Sequence, residues 1–255
     1  MASRREYAHG IQTNADNMKK WKTKSGCEIF RILSGRSNVF LLTNGEKNIL
    51  IDTSVSLTWN RLQKQLDRSG IKKIDCLILT HAHVDHAANA SRIKNKFNAL
   101  VIIQKEEAGY LLNGSNIVPG GTTLFTRPLV KIFGKRLSSL IKYSPCKYDL
   151  LVDLRFDLND FGFNAYLMHT PGHTAGSMSL IIDDEVAVVG DTMVGSVKWS
   201  VFPPFAQNVE QLIQSWGKLL ETGCSLFLPA HGTGNNRSLV EKDYAAKIKK
   251  YGRQG

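Results

Sequence analysis

The sequence predicts an α+β fold built as a single unit over residues 1–255, and three features carry that prediction. Short apolar runs at 27–33, 37–42 and 48–52 are separated by turn residues and read as an antiparallel meander. An apolar run at 74–79, a helical stretch and a second apolar run at 99–104 make a strand-helix-strand unit. From residue 164 onward the same alternation of strands, loops and helix returns.

The meander comes first. Asn44-Gly45 is a residue pair that favours a tight hairpin turn, and it stands between the second apolar run and the third, which Asp52 closes. From 57 to 66, Leu57, Arg61, Leu62, Gln65 and Leu66 bring apolar side chains round at helical intervals, and Gly70 ends the predicted helix. The run 74–79 is apolar enough to be a fully buried strand, and a helix is expected over 87–97.

Between that strand and that helix lies the densest chemistry in the chain. Three of the seven histidines, His81, His83 and His86, fall within six positions, with Asp85 among them. Histidines four apart share one helical face, whereas His81 and His83 are two apart and need an extended or looped backbone. A strand, then a loop, then a helix puts all four side chains at the carboxyl end of the strand, where open α/β sheets bind ligands. Imidazole with carboxylate is the donor mixture that suits borderline divalent metals. A merely solvated loop explains this poorly, because a ligand-rich turn closing a buried strand has no packing purpose.

The rhythm changes over 106–148, which carries Gly114, Pro119, Gly120 and Gly121 and then Leu129, Val130, Phe133, Leu137, Leu140 and Ile141 at helical spacing. Lys131, Lys135, Arg136 and Lys142 are interleaved. The segment reads as a helical insertion, a lid beside a site, with contact to a membrane surface or a partner as the alternatives. In the second half, strands are expected at 164–168, 178–182, 186–190 and 225–228, and helices at 209–220 and 238–250. Most of these strands end on a further candidate donor: His173 after the first, Asp191 after the third, His231 after the last.

Composition bounds the function. Hydrophobic residues at 42% and charged residues at 22% exclude disordered and fibrous classes. The first twenty-five residues are polar and no apolar run reaches the length of a membrane span or signal core, so the expected compartment is the cytoplasm. Cys27, Cys76, Cys146 and Cys224 stand singly, away from the histidines, which excludes a disulfide framework or a cysteine zinc knuckle. The +11 net charge favours anionic ligands, although part of the excess lies in the tails, including Lys19, Lys20, Lys22 and Lys24, where solubility is reason enough.

Taken together, the motifs Thr-His-Ala-His-Val-Asp-His at 80–86, Gly-His-Thr-Ala-Gly at 172–176, Gly-Asp-Thr at 190–192 and Pro-Ala-His-Gly at 229–232 resemble the metallo-β-lactamase superfamily in residue type and order. The resemblance implies a four-layer αββα sandwich with the metal site at one edge between two sheets. It gives one divalent ion to His81, His83 and His173 and a second to Asp85, His86 and His231, with Asp191 bridging. Zinc is the first expectation for both, with iron or manganese as alternatives. Asp52 is implied to support the ligand loop or a histidine N–H without being a ligand.

The implied activity is hydrolysis by a hydroxide shared between the two metals, with Asp85 orienting it and passing its proton to the leaving group. Zinc β-lactamases of the family would carry Cys or Ser where this chain has Asp191, together with a secretory signal, so antibiotic hydrolysis is disfavoured. An aspartate bridge with five histidines is similar to the glyoxalase II, lactonase, ribonuclease and phosphodiesterase branches. The expected substrate is a small anionic ester, thioester or lactone, met by the basic insertion near 127–142, and Lys198 and Trp199 are candidates to line its pocket. Phosphodiester cleavage of nucleic acid is the runner-up, which the missing ribonuclease signatures oppose. An iron-dependent sulfur dioxygenase is the reading from another class.

Overall fold

A computed structural model describes residues 18–115, 119–124, 126–128, 130–132 and 141–251. The meander consists of β1 (Lys20–Lys22), β2 (Glu28–Leu33), β3 (Val39–Thr43) and β4 (Asn48–Ile51), each antiparallel to the next. Helix α1 (Trp59–Arg68) then crosses to β5 (Cys76–Ile78), which runs parallel to β4. The predicted helix after β5 is two helices, the single turn α2 (Val84–Ala87) and α3 (Ala90–Phe97), because Asn89 breaks the run. Its amide and side chain bond instead to Thr53 and Val55. Strands β6 (Leu100–Gln104) and β7 (Leu150–Val152) complete a seven-stranded sheet in sequence order.

The second sheet has six strands. It runs from β8 (Arg155–Asp157) through β9 (Ala165–His169), β10 (Met178–Ile182), β11 (Val186–Gly190) and β12 (Leu226–Pro229) to the short β13 (Asn235–Asn236). Helix α4 (Ala108–Asn113) precedes β7, α5 (Val209–Glu221) joins β11 to β12, and α6 (Arg237–Tyr251) follows β13.

Strand periodicity explains the layering. Successive side chains of a strand point to opposite faces, and here both faces are apolar. In β3, Phe40 and Leu42 face the second sheet while Val39 and Leu41 face the helices α1 and α3. In β11, Val186 and Val188 join the core between the sheets while Ala187 and Val189 pack with Trp216 of α5 and Val240 of α6. Three apolar cores therefore separate four layers, in the order helix, sheet, sheet, helix, which is the αββα sandwich.

Several expectations change. Lys20 and Lys22, read as part of a solubilising tail, belong to the edge strand β1, where Lys20 pairs with Glu28. Leu57 does not join the helical core; it lies in a 3-10 turn before α1 and is 97% exposed. The basic stretch of the insertion with Phe133, Lys135, Arg136, Leu137 and Leu140 lies outside the described residues, as does Leu129. Among the described residues no helix is long and apolar enough to cross a membrane.

Candidate metal centre

The ligand loop is extended where the spacing requires it. After β5 the chain stays buried through Leu79 and Thr80, and His83 adopts an extended conformation (φ −65°, ψ 151°) as it caps α2. His81 and His83 thus lie on extended backbone, and Asp85 and His86 on the turn of helix that follows. The end of that turn is held twice by Thr53, whose amide and hydroxyl both donate to the His86 carbonyl, at 2.7 and 2.8 Å.

The remaining donors arrive from the second sheet. His173 lies between β9 and β10, Asp191 follows β11 directly, and His231 stands just past β12. The His173 turn packs so closely on α5 that a Cβ at Gly172, itself at φ +133°, would meet the Leu212 amide nitrogen at 2.3 Å. His231 is steadied by Asn38, whose side-chain amide donates to the carbonyls of Pro229 and Gly232. Trp216 donates its indole N–H to the Thr192 carbonyl, which anchors the segment beside Asp191.

These seven side chains converge. His81 Nε2 and His173 Nε2 lie 2.9 and 3.1 Å from His83 Nδ1. His231 Nε2 lies 3.3 Å from Asp85 and 3.4 Å from Asp191, and His86 Nε2 is 3.8 and 3.6 Å from the same two carboxylates. Asp191 also faces His173 Nε2 at 3.5 Å, so it adjoins both groups. Three sets of donor atoms within 4.8 Å of one another result: His81, His83 and His173; His81, His86 and Asp191; and Asp85, His86 and His231.

The chemistry of the set fits divalent cations. His86 Nε2 and Asp191 Oδ1 are both buried without a hydrogen-bond partner, although they face each other. Native proteins rarely leave such atoms orphaned, and a cation between them satisfies both. The outer nitrogens leave the inward ones free to accept. His86 Nδ1 donates to Asp52 at 2.8 Å and His173 Nδ1 donates to the Phe205 carbonyl at 3.0 Å, so each ring turns its Nε2 toward the centre, where a cation would find it.

Asp52 does more than orient one ring. One of its oxygens accepts the Thr80 amide and the other accepts the Thr80 hydroxyl and His86, which ties the end of β4 to the start of the ligand loop. Its backbone is left-handed, at φ 60°, a conformation that aspartate tolerates better than most residues.

Electrostatics divides the donors into two kinds. Burial, with the neighbouring rings of His86, His83 and His173, holds His81 well below the ordinary histidine range. Burial and the adjacent His173 and His86 rings lower His83 to about 3, and burial also lowers His173. Burial opposes charge on His86 too, yet Asp52, Asp191 and Asp85 hold it well above the ordinary range. Against the same opposition, Asp191 and Asp85 push His231 up to about 10, while His86 and His231 draw Asp85 down to about 2. The first set is thus neutral and ready to coordinate, whereas the second holds protons that a cation would displace.

A cavity of about 770 Å3 opens over these donors, with His83, Asp85, His173, Asp191 and His231 in its lining. Lys198 and Trp199 do not line it. The Gly195 amide donates to the His231 carbonyl, Val197 and Ser200 then form a tight bridge, and the intervening turn points outward, with Trp199 73% exposed. His169 is half-buried, bonded to the Ala175 carbonyl at 2.7 Å, and takes no part.

Two residues of the insertion matter in a way their sequence context did not signal. Glu107, 2% exposed, accepts the amides of Ala82 and Gly176, one in each of two donor loops. Tyr143 donates its hydroxyl to the Ala82 carbonyl. The sequence offers only a carboxylate three residues past an expected strand, and that does not name its partners.

Residues 34–231 match the family model described as the metallo-beta-lactamase superfamily, and the chain belongs to that superfamily. It is 34% identical over 167 residues to a probable metallo-hydrolase of Methanocaldococcus jannaschii, covering 65% of this chain and 72% of that one. It is 26% identical over 196 residues to the hydroxyacylglutathione hydrolase GloC of Haemophilus influenzae, covering 74% and 81%. A solved archaeal superfamily protein from Sulfolobus tokodaii has the same fold, with a TM-score of 0.58 at 22% identity over 86% of this chain and 83% of that one.

Proposed function

We propose that this protein hydrolyses a small carboxylic ester, thioester or lactone with two zinc ions held by the seven converging donors. Membership of a superfamily whose matched relatives are named metallo-hydrolases makes the chain a metal-dependent hydrolase. The observation that carries the dinuclear reading is the position of Asp191, within 3.6 Å of nitrogens from both donor groups. The likeness to a hydrolase of hydroxyacylglutathione, at 26% identity, supports a thioester among the candidate substrates.

His81, His83 and His173 would hold one ion and Asp85, His86 and His231 the other, with Asp191 shared. Ions so held would supply a water acidified towards a pKa of about 7 and an electrophile for a carbonyl oxygen. The chain's own residues divide the remaining work. Asp191, with a side chain 11% exposed, is fixed between the donor groups. Asp85, at 29%, is the more exposed of the two carboxylates in the cavity lining, and it is placed to take a proton from the attacking water and hand it to the leaving group. Asp52 and Thr80 keep His86 facing inward throughout.

Metal analysis of protein purified without chelator, followed by a substrate screen, tests this reading. About two equivalents of zinc with turnover of thioesters, esters or lactones is the expected result. A single iron with oxygen uptake would place the protein with the sulfur dioxygenases, and cleavage of bis-p-nitrophenyl phosphate alone would place it with the phosphodiesterases.

A further inference from the structure

The cavity walls narrow the substrate further, in an inference that rests on the hydrolase reading. Away from the donors the described lining is almost wholly apolar. The first half of the chain contributes Val55, Leu57 and Val84, and the second contributes Ile141, Val194 and Phe205 among others. Besides the donors the only charged side chain among the described lining residues is Arg36, which is exposed and has no acidic partner among the described residues. The basic residues Arg127, Lys131 and Lys142 are exposed and do not line the cavity.

Leu57 gives these walls a direction. A single exposed leucine is ordinary, but this one borders a cavity next to Val55 and Val84 and holds almost its entire surface in the open. A neighbouring ligand would remove that surface from water. Pockets that recognise small molecules combine such apolar walls with a few placed polar groups, and here those groups are the donors, Ser196 and Arg36. Away from the donors, a polyanion would find one cationic side chain among the described lining residues and a great deal of hydrocarbon.

We infer that the substrate is an acyl ester, thioester or lactone whose acyl part is an aliphatic chain, laid along Val55, Leu57 and Val84 with its carbonyl at Asp85 and Asp191. Among the described lining residues, Arg36 provides for one anionic group. Hydrolysis adds water across the acyl bond, giving a fatty carboxylic acid and the free alcohol or thiol from an ester or thioester and a single hydroxy acid from a lactone, without an oxidant or reductant.

The test is a chain-length series of p-nitrophenyl esters, acetate through octanoate, on the zinc-loaded protein, paired with calorimetry of acetate and octanoate on metal-free protein. The expected kcat/KM, corrected for spontaneous hydrolysis, rises about fourfold per added methylene while the chain is being buried. Leu57→Asp, at a position open enough that folding is not at stake, should cut the octanoate-to-acetate ratio about tenfold. Octanoate should bind the metal-free protein with a negative heat-capacity change and acetate should not bind. A flat series on active enzyme overturns the aliphatic assignment and leaves the hydrolase reading standing. Octanoate binding that Leu57→Asp weakens, in a protein that cleaves neither these esters nor octanoyl thioesters and lactones, supports the aliphatic site and removes the acyl-hydrolase reading.

Discussion

Tyr143 donates its hydroxyl to the Ala82 carbonyl at 2.8 Å, and Glu107 accepts the amide of the same residue at 2.9 Å. Ala82 is the one residue between His81 and His83. Both of its peptide groups are therefore held from the insertion, and the separation of two inward-facing imidazoles is set through the backbone between them. Tyr143→Phe leaves a buried carbonyl without its donor, and Glu107→Gln turns an N–H toward either the Ala82 or the Gly176 amide. Each should weaken zinc binding by about 10–100-fold, measured by competition with a chromogenic chelator. Unchanged affinity in both variants would mean that the loop holds its shape unaided.

Asp191→Ala removes the one carboxylate that adjoins both donor groups. Protein carrying it should retain at most one metal equivalent by elemental analysis and lose most of its turnover. Two bound metals and full activity in that variant would rule out the shared position.

Metal removal should be felt in stability. The native state gathers five imidazoles and two carboxylates whose inward atoms compete for too few protons, and an ion bound to the folded chain alone stabilises it by mass action. At a thousandfold excess over the dissociation constant that amounts to about 4 kcal/mol. For a chain of this size the matching fall in melting temperature on chelation is about 8–16 °C. Scanning calorimetry with and without a chelator reads it directly, and an unchanged melting point would deny any metal linkage.

The cysteines should be silent. All four are buried. Burial pushes Cys146 and Cys224 up to about 11 and raises Cys76 further. The thiolate is the reactive form, so a raised thiol leaves very little of it at pH 8. Ellman's reagent should label the native protein slowly and all four thiols promptly in guanidinium. Fast labelling of a native thiol would contradict the packing around it.

The candidate donors stand out in sequence because they follow apolar runs, and the family resemblance groups them. His81 and His83 declare an extended loop by their spacing, and Asp52 and Asp191 close runs of strand-forming residues. What escaped depends on contacts between distant segments. Glu107 and Tyr143 lie 25 and 61 residues from Ala82, and no local pattern announces them. Strand β1 carries Lys-Trp-Lys, which composition assigns to a solvated tail until it pairs with β2. Leu57 fits the helical period, yet the helix starts two residues later, so the period is interrupted before it reaches the core. Lys198 and Trp199 follow Asp191 closely in sequence, but the intervening bonds to the His231 loop turn them away.

Those bonds carry a consequence for how the enzyme can change. Gly195 lies against the loop that presents His231, so tightly that a Cβ there would come within 1.8 Å of the Thr233 carbonyl oxygen. Any other residue at 195 must lever that loop, and His231 with it, off its neighbours. Mutational drift along this rim is thus confined to the flanking Val194 and Ser196, both in the cavity wall. A laboratory library aimed at new acyl groups would do well to randomise those two positions and leave the glycine between them alone.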